Sequence, residues 1–302
     1  MVKDNIFDER YEFQREFLDH LVSENGFIER KNKNFNRAYA MDIDLLFDFL
    51  YKSQEDLMIE LEGIYKEDLK ETLVNFINGE ITKKGSSLID VLKNGIEIAN
   101  RKLELMYTRP ATDFNKDLRA KYESNIFSVM EEVYANDSER VDLVIFLNGL
   151  AIISLELKSE YSGQTYRDAI DQYRQDRDPK SRLFLWKAGC FVNFAMDTSE
   201  VMMTTKLDGP ATFFLPFNKG KGEGIYTGAG NPEVGDKLPV SYMWEEVLTK
   251  DSILELIKKF VFIKRVEKED ELTGITKIKE TVIFPRFHQL DLIRKLLSDV
   301  KD

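Results

Sequence analysis

Three residues within one short stretch could do chemistry that their surroundings make costly. Asp142 lies inside the apolar run Val141-Asp142-Leu143-Val144, and Glu156 and Lys158 alternate with Leu155 and Leu157. A carboxylate or an amine among apolar strand residues is unfavourable unless it is paired or bound to a metal. Side chains alternate along a strand, so Glu156 and Lys158 share one face and Leu155 and Leu157 fill the other. Two carboxylates brought together suit Mg²⁺, a hard cation that keeps waters and accepts a phosphate oxygen. Such a site polarises a scissile phosphate and activates water. Lys158 would orient that water or stabilise charge on the phosphate, and the carbonyl of Leu157 could add a ligand. The competing reading is a hairpin edge carrying a solvated Glu156–Lys158 ion pair.

The elements around these residues must decide between the two. Residues 140–147 and 151–158 read as strands, joined at Asn148-Gly149, a strong hairpin signal. Directly opposed residues of a hairpin point to the same face, and their numbers have a constant sum. A two-residue turn pairs 147 with 150, which sets Asp142 opposite Leu155 and sends Glu156 to the other face. A three-residue connection with a bulge raises the sum by one and sets Asp142 opposite Glu156. The metal reading requires this second register or an equivalent one.

The rest of the chain supplies a mixed α/β frame. Apolar residues recur at helical spacing over 8–25, 41–52, 54–62, 66–78 and 86–105, so the first hundred residues are mostly helical. Strands follow at 125–134, 140–147, 151–158 and 189–197, with a helix at 163–177 before the last of them. Residues 201–240 hold many Gly and Pro and read as short strands with irregular loops. A helix over 241–260, a hairpin over 261–283 turning at Thr273-Gly274, and a helix over 285–299 opening at Pro285 complete the chain.

Composition narrows the function classes. The 302 residues carry a net charge of −11, which argues against coating nucleic acid by bulk charge but leaves room for a local basic groove. Cys190 is the single cysteine, so an intramolecular disulfide and CxxC metal sites are excluded. His20 and His288 are the two histidines, which leaves His-rich zinc sites poorly supported. No 18-residue apolar run and no signal-peptide core occur, so no membrane span and a cytoplasmic location are expected.

Arg140-Val141-Asp142-Leu143-Val144, Asn148-Gly149-Leu150 and Leu155-Glu156-Leu157-Lys158 together resemble the PD-(D/E)xK nuclease motif. More narrowly, they are similar to the N-terminal endonuclease domain of type I restriction enzyme R subunits. Ala169-Ile170-Asp171-Gln172-Tyr173 resembles that family's helix carrying a Gln at the active site. Many members have a Tyr four residues after that Gln, where this chain has Asp176. The resemblance implies a restriction-endonuclease-like core with a mixed central sheet, flanking helices and a helical N-terminal insertion. It implies Mg²⁺-dependent hydrolysis of double-stranded DNA by Asp142, Glu156 and Lys158, with Gln172 in support. It also implies an acidic residue on the first helix, for which Glu12 and Glu16 are candidates and Glu16 is preferred. Phe284-Pro285-Arg286-Phe287-His288-Gln289-Leu290 is similar to the segment preceding the motor, where a Gln contacts the adenine of ATP. No G-x-x-x-x-G-K-[ST] loop occurs, so Gln289 would bind nucleotide only with a motor outside this chain.

These implications divide the chain into a nuclease domain over 1–260 and a linker with the start of a truncated motor domain over 261–302. Within the first, 40–105 is the helical part, 106–200 the catalytic core and 201–260 a loop-rich extension. The implied partners are methyltransferase and specificity subunits of an ATP-driven translocating complex. The alternative is a non-catalytic, nuclease-like scaffold docking the motor onto those subunits. Arg167, Arg174, Arg177, Lys180 and Arg182 cluster around the Gln172 helix and would together contact DNA phosphates, although acidic neighbours make a solvated face the reading for each alone. Lys219, Lys221 and Lys237 read as surface-loop residues. Tyr161 and Tyr166 read as packing residues with base stacking as the sharper option.

Overall fold

The computed structural model describes residues 2–112, 114–159, 163–221, 229–269 and 276–299. Tyr161, the Thr273-Gly274 turn, and Gly222 and Gly224 lie outside the described residues.

Near-continuous apolar runs make the central strands. β4 (Phe127–Tyr134), β5 (Arg140–Leu147), β6 (Leu150–Leu157) and β7 (Val192–Met196) are buried almost throughout, as strands covered on both faces must be. With β1 (Ile28–Arg30), β8 (Val201–Thr204) and β9 (Leu215–Pro216) they form a seven-stranded sheet in the order β1-β4-β5-β6-β7-β8-β9. β1 pairs with β4, and β6 with β7, in parallel, and the other neighbours are antiparallel. The expected mixed sheet flanked by helices is therefore present. β1 escapes a sequence reading because three residues give no periodicity.

α1 (Val2–Ser23), α2 (Ile43–Tyr65), α3 (Leu69–Thr82) and α4 (Leu88–Asn94) pack on one face of the sheet, together with α7 (Lys250–Glu255). α5 (Lys116–Glu123) is a short, exposed helix. The two helices expected over 41–62 are one element, bent at Gln54 (φ −146°, ψ 44°). Gln54 bridges to Glu104 there, donating to its carbonyl and accepting from its amide. The helical expectation over 86–105 holds only to Asn94. Gly95 then takes φ +67°, a Cβ on it would meet the Leu103 carbonyl at 2.6 Å, and a hairpin of β2 (Ile96–Ile98) and β3 (Arg101–Leu103) follows.

α6 (Tyr166–Gln175) crosses the opposite face between β6 and β7. Thr165 caps it with a reciprocal Asp168 contact, and Ala169, Ile170 and Tyr173 are its buried stripe. These residues pack with Val144, Phe146, Phe184 and Phe214 in a second, smaller core. The ribbon of β10 (Phe262–Glu269) and β11 (Thr276–Ile283) precedes α8 (Phe287–Asp299), which starts two residues after Pro285 rather than at it. Val282, Phe284, Phe287 and Leu290 from this tail join the larger core. Among the described residues no helix is long and apolar enough to cross a membrane.

Candidate active site

The β5–β6 hairpin combines the two registers set out above. Its turn has two residues: Leu147 pairs with Leu150, and Asn148 (φ 51°) and Gly149 (φ +79°) both adopt the left-handed backbone that such turns need. Past Ala151 the register shifts by one, and Ile145 pairs with Ile153, Val144 with Ser154 and Leu143 with Leu155. Ile152 is the extra residue of a β-bulge, and it joins Ile153 in the larger core. The shifted sum sets Asp142 directly opposite Glu156. The turn is held in place from outside: the Asp42 amide donates to the Gly149 carbonyl at 2.8 Å, and the Asn148 side chain donates to the Leu105 carbonyl and accepts from the Ile126 amide.

Asp142, Glu156 and Lys158 thus meet on the α6 side of the sheet, at 5%, 0% and 4% exposure. Oδ2 of Asp142 accepts from the Leu157 amide at 2.8 Å and lies 3.9 Å from Lys158 Nζ. The Leu157 amide, rather than its carbonyl, is the group seen engaged with the cluster. Glu156 faces Ala195 on β7, where the short side chain leaves room. Oε1 of Glu156 accepts from Arg177 Nε at 2.8 Å and Nη2 at 2.6 Å, while its buried Oε2 has no hydrogen-bond partner. Burial pushes the Glu156 carboxyl well above the ordinary carboxylate range. The Asp142 charge adds to this, and Arg177 and Lys158 oppose it. The Asp168 carboxyl is held below its ordinary value, chiefly by the Thr165 backbone amide, with Lys158 contributing last.

The donor set fits a hard divalent cation. Two buried carboxylates face one another, and one of their oxygens is bare where a buried acceptor is normally satisfied. Among the described residues no group of three or more His, Cys, Asp or Glu is placed to hold a metal, at this cluster or elsewhere, so the two carboxylates would share a cation with backbone carbonyl or water oxygens.

Other expected residues fall elsewhere. Glu16 is exposed on α1, whose Phe13 and Phe17 pack in the larger core on the opposite face of the sheet from Glu156. Its carboxyl is raised by partial burial and by Glu12, with His20 opposing, and the neighbouring Gln14 donates to Glu131. The structure therefore does not bring Glu16 to the cluster, because the apolar stripe of α1 seats it on the wrong side of the sheet. Gln172 is half-buried and lines a cleft of about 770 Å³ with Tyr134, Arg140 and Arg177, adjoining the cluster through Arg177. Gln289 is exposed, and its side-chain carbonyl accepts from the Arg286 amide at the start of α8.

The basic cluster does not form one DNA-facing surface. Arg177 is committed to Glu156, Arg182 to Asn78 and the Ala188 carbonyl, and Arg174 to the Thr212 carbonyl. Arg167 lies over the Tyr166 ring, and Lys180 is exposed. Arg177 is the residue that sequence reasoning misplaced. Within Asp176-Arg177-Asp178 it reads as part of a solvated run, and the only hint was that a buried Glu156 needs a counter-charge. Tyr173 is similar: its hydroxyl lies 2.8 Å from Ser154 Oγ, which donates to Asn193 Oδ1 at 2.7 Å beneath the cluster. Cys190 is buried, with its thiol pushed far up by burial.

A Methanocaldococcus jannaschii protein provisionally named the type I restriction enzyme MjaVIIIP endonuclease subunit is 26% identical over 248 residues, covering 77% of this chain and 20% of that protein. A second protein of that organism, provisionally named the MjaIXP endonuclease subunit, is 27% identical over 141 residues, covering 45% of this chain and 13% of its own length. The chain thus spans a fifth or less of the curated relatives it matches. The family model for the type I restriction enzyme R protein N terminus matches residues 11–211, two thirds of the chain, and the chain belongs to that family.

Proposed function

We propose that this chain is the endonuclease module of a type I restriction–modification R subunit, hydrolysing double-stranded DNA phosphodiesters with Mg²⁺ inside a larger ATP-driven translocating complex. The observation that carries the reading is the convergence of Asp142, Glu156 and Lys158, with a bare, buried Glu156 oxygen, on one face of a bulged hairpin. Asp142 and Glu156 would hold Mg²⁺, with the Leu157 carbonyl as a further ligand. When bound, the cation would supply Lewis-acid polarisation of the phosphate and charge neutralisation. Lys158, desolvated and fixed beside Asp142, would orient the attacking water or meet charge developing on the phosphate. Gln172 would line the approach.

The acidic charge fits a division of labour in which specificity subunits choose the DNA site and methyltransferase subunits complete the assembly. Residues 1–260 would be the nuclease domain and 261–302 its connection to the motor. ATP would bind in that motor, with Gln289 contributing only there.

The test is plasmid cleavage by the reconstituted complex carrying Asp142→Ala or Lys158→Ala. Loss of cutting with assembly and ATP turnover retained supports the nuclease. Cutting at the wild-type rate would leave the chain as a docking scaffold.

A further inference from the structure

We propose that Arg177 is a positioning residue for the metal site: its guanidinium holds Glu156 in the orientation that leaves Oε2 open to the cation. The inference rests on the nuclease reading above and goes beyond it. Arg177 donates twice to one oxygen, Nε at 2.8 Å and Nη2 at 2.6 Å, and the other oxygen of the same buried carboxylate receives nothing. Leaving a buried acceptor unmade is costly, so an arrangement that doubles the donors on Oε1 reserves Oε2 for a group the chain does not carry.

Arg177 is itself fixed from several directions. Nη2 also donates to the Arg140 carbonyl at 2.8 Å, and Nη1 to the Asp176 carbonyl at 3.3 Å. α6, which ends just before it, is anchored to the same strand as Glu156 by the Tyr173–Ser154 hydroxyl pair. Arg174 ties the same helix to the Thr212 carbonyl through Nε and Nη2. A planar guanidinium with directed donors orients a carboxylate, whereas an ammonium acts as a point charge.

Orientation and bare charge forecast opposite signs. If Arg177 acted only as a nearby cation, removing it would tighten binding of a divalent metal. If it orients Glu156, removing it weakens binding by about 10- to 100-fold, the usual cost of losing a group that holds a ligand in place.

The experiment is Mn²⁺ titration of the full chain, read by the electron paramagnetic resonance signal of the free ion. Wild type, Asp142→Asn, Arg177→Gln and Arg177→Lys are compared, with thermal unfolding in chelator as the control for folding. Arg177→Gln is expected to raise the Kd about tenfold or more, and Arg177→Lys to fall between it and wild type. A Kd equal to or tighter than wild type in either variant overturns the proposal. If Arg177→Gln shows no cooperative unfolding, Arg177→Lys, which keeps the charge, decides alone by the same criterion. If wild type fails to bind Mn²⁺, or Asp142→Asn binds it equally well, the nuclease reading falls and takes this inference with it.

Discussion

Replacing Asp142 with Asn removes one charge from a buried quartet of two carboxylates and two cations while keeping the side chain's shape. Three Coulomb terms change, and the two with Lys158 and Glu156 set the sum, because the attraction of Asp142 for Arg177 is the weakest influence on that guanidinium. The attraction between Asp142 Oδ2 and Lys158 Nζ acts across 3.9 Å; at an effective dielectric of about 20 it is worth about 4 kcal/mol. The repulsion from Glu156 acts across a directly opposed ladder pair, at about 5 Å, and is worth about 3 kcal/mol. The loss and the relief nearly cancel, leaving a net cost of about 1 kcal/mol. The amide oxygen of Asn can still accept from the Leu157 amide, the 2.8 Å bond that ties Asp142 to β6. Asp142→Asn is therefore expected to stay within about 1 kcal/mol of wild type, a midpoint change of roughly 2–4 °C, while DNA cleavage is lost. Urea unfolding in chelator measures the first quantity, and plasmid cleavage by the reconstituted complex measures the second. A stability loss beyond about 3 kcal/mol would refute the cancellation and make lost cutting uninformative. Cutting at the wild-type rate would refute the role of the carboxylate.

Three further outcomes follow from the same geometry. Gly149→Ala should destabilise by about 3–5 kcal/mol: φ is +79°, and a Cβ would meet the Asp42 carbonyl at 2.3 Å and the Leu46 amide at 2.7 Å, both backbone. Gly209→Ala, with φ +55° and open space around the site of the new Cβ, isolates the backbone cost of about 1–2 kcal/mol, and equal urea midpoints for the two variants would show the clash to be absent. Without metal, Glu156 has a raised folded-state pKa, so its contribution to stability is complete below the unfolded value of about 4.3 and is lost as pH rises through the folded one. Glu156→Gln should flatten that fall as pH rises above the unfolded carboxylate value, and parallel stability curves would exclude this assignment. Ser154→Ala leaves the buried Tyr173 hydroxyl without its partner and should cost about 1–3 kcal/mol in urea unfolding, whereas a neutral result would mean the hydroxyl network does not anchor α6.

How far the sequence could be read varied with the range of the forces involved. β5 was legible to the residue, because a run from Arg140 to Leu147 with one interior charge has no other stable setting than a buried strand. The α6 helix was legible because Thr165 and Asp168 cap it and Ala169, Ile170 and Tyr173 repeat at helical spacing. The Asn148-Gly149 turn was legible because both positions need positive φ. The bulge was not: Ala151, Ile152 and Ile153 are all apolar, so nothing local says which of them is the unpaired one. Glu16 failed for a related reason, since an amphipathic helix declares that it has a buried face but not which side of a sheet will receive it. The stop at Gly95 is a local signal, because a glycine at the end of a seven-residue stripe is itself a helix terminator.

The residues therefore determined the chemistry available, a carboxylate in one apolar strand and a carboxylate and an amine in the next, together with the hairpin that joins them. Only the tertiary structure decided that they meet. One extra residue, Ile152, must be accommodated by the larger core, and doing so rotates the pairing so that Asp142 faces Glu156. Only the packing of α6 against β6 and β7 decided that Arg177 reaches Glu156, because a buried charge takes whichever partner the fold carries to it. Periodicity and turn preference act over a few residues and can be read along the chain. Register and counter-charge depend on contacts between β5, β6 and the end of α6, which become neighbours only once the core has closed.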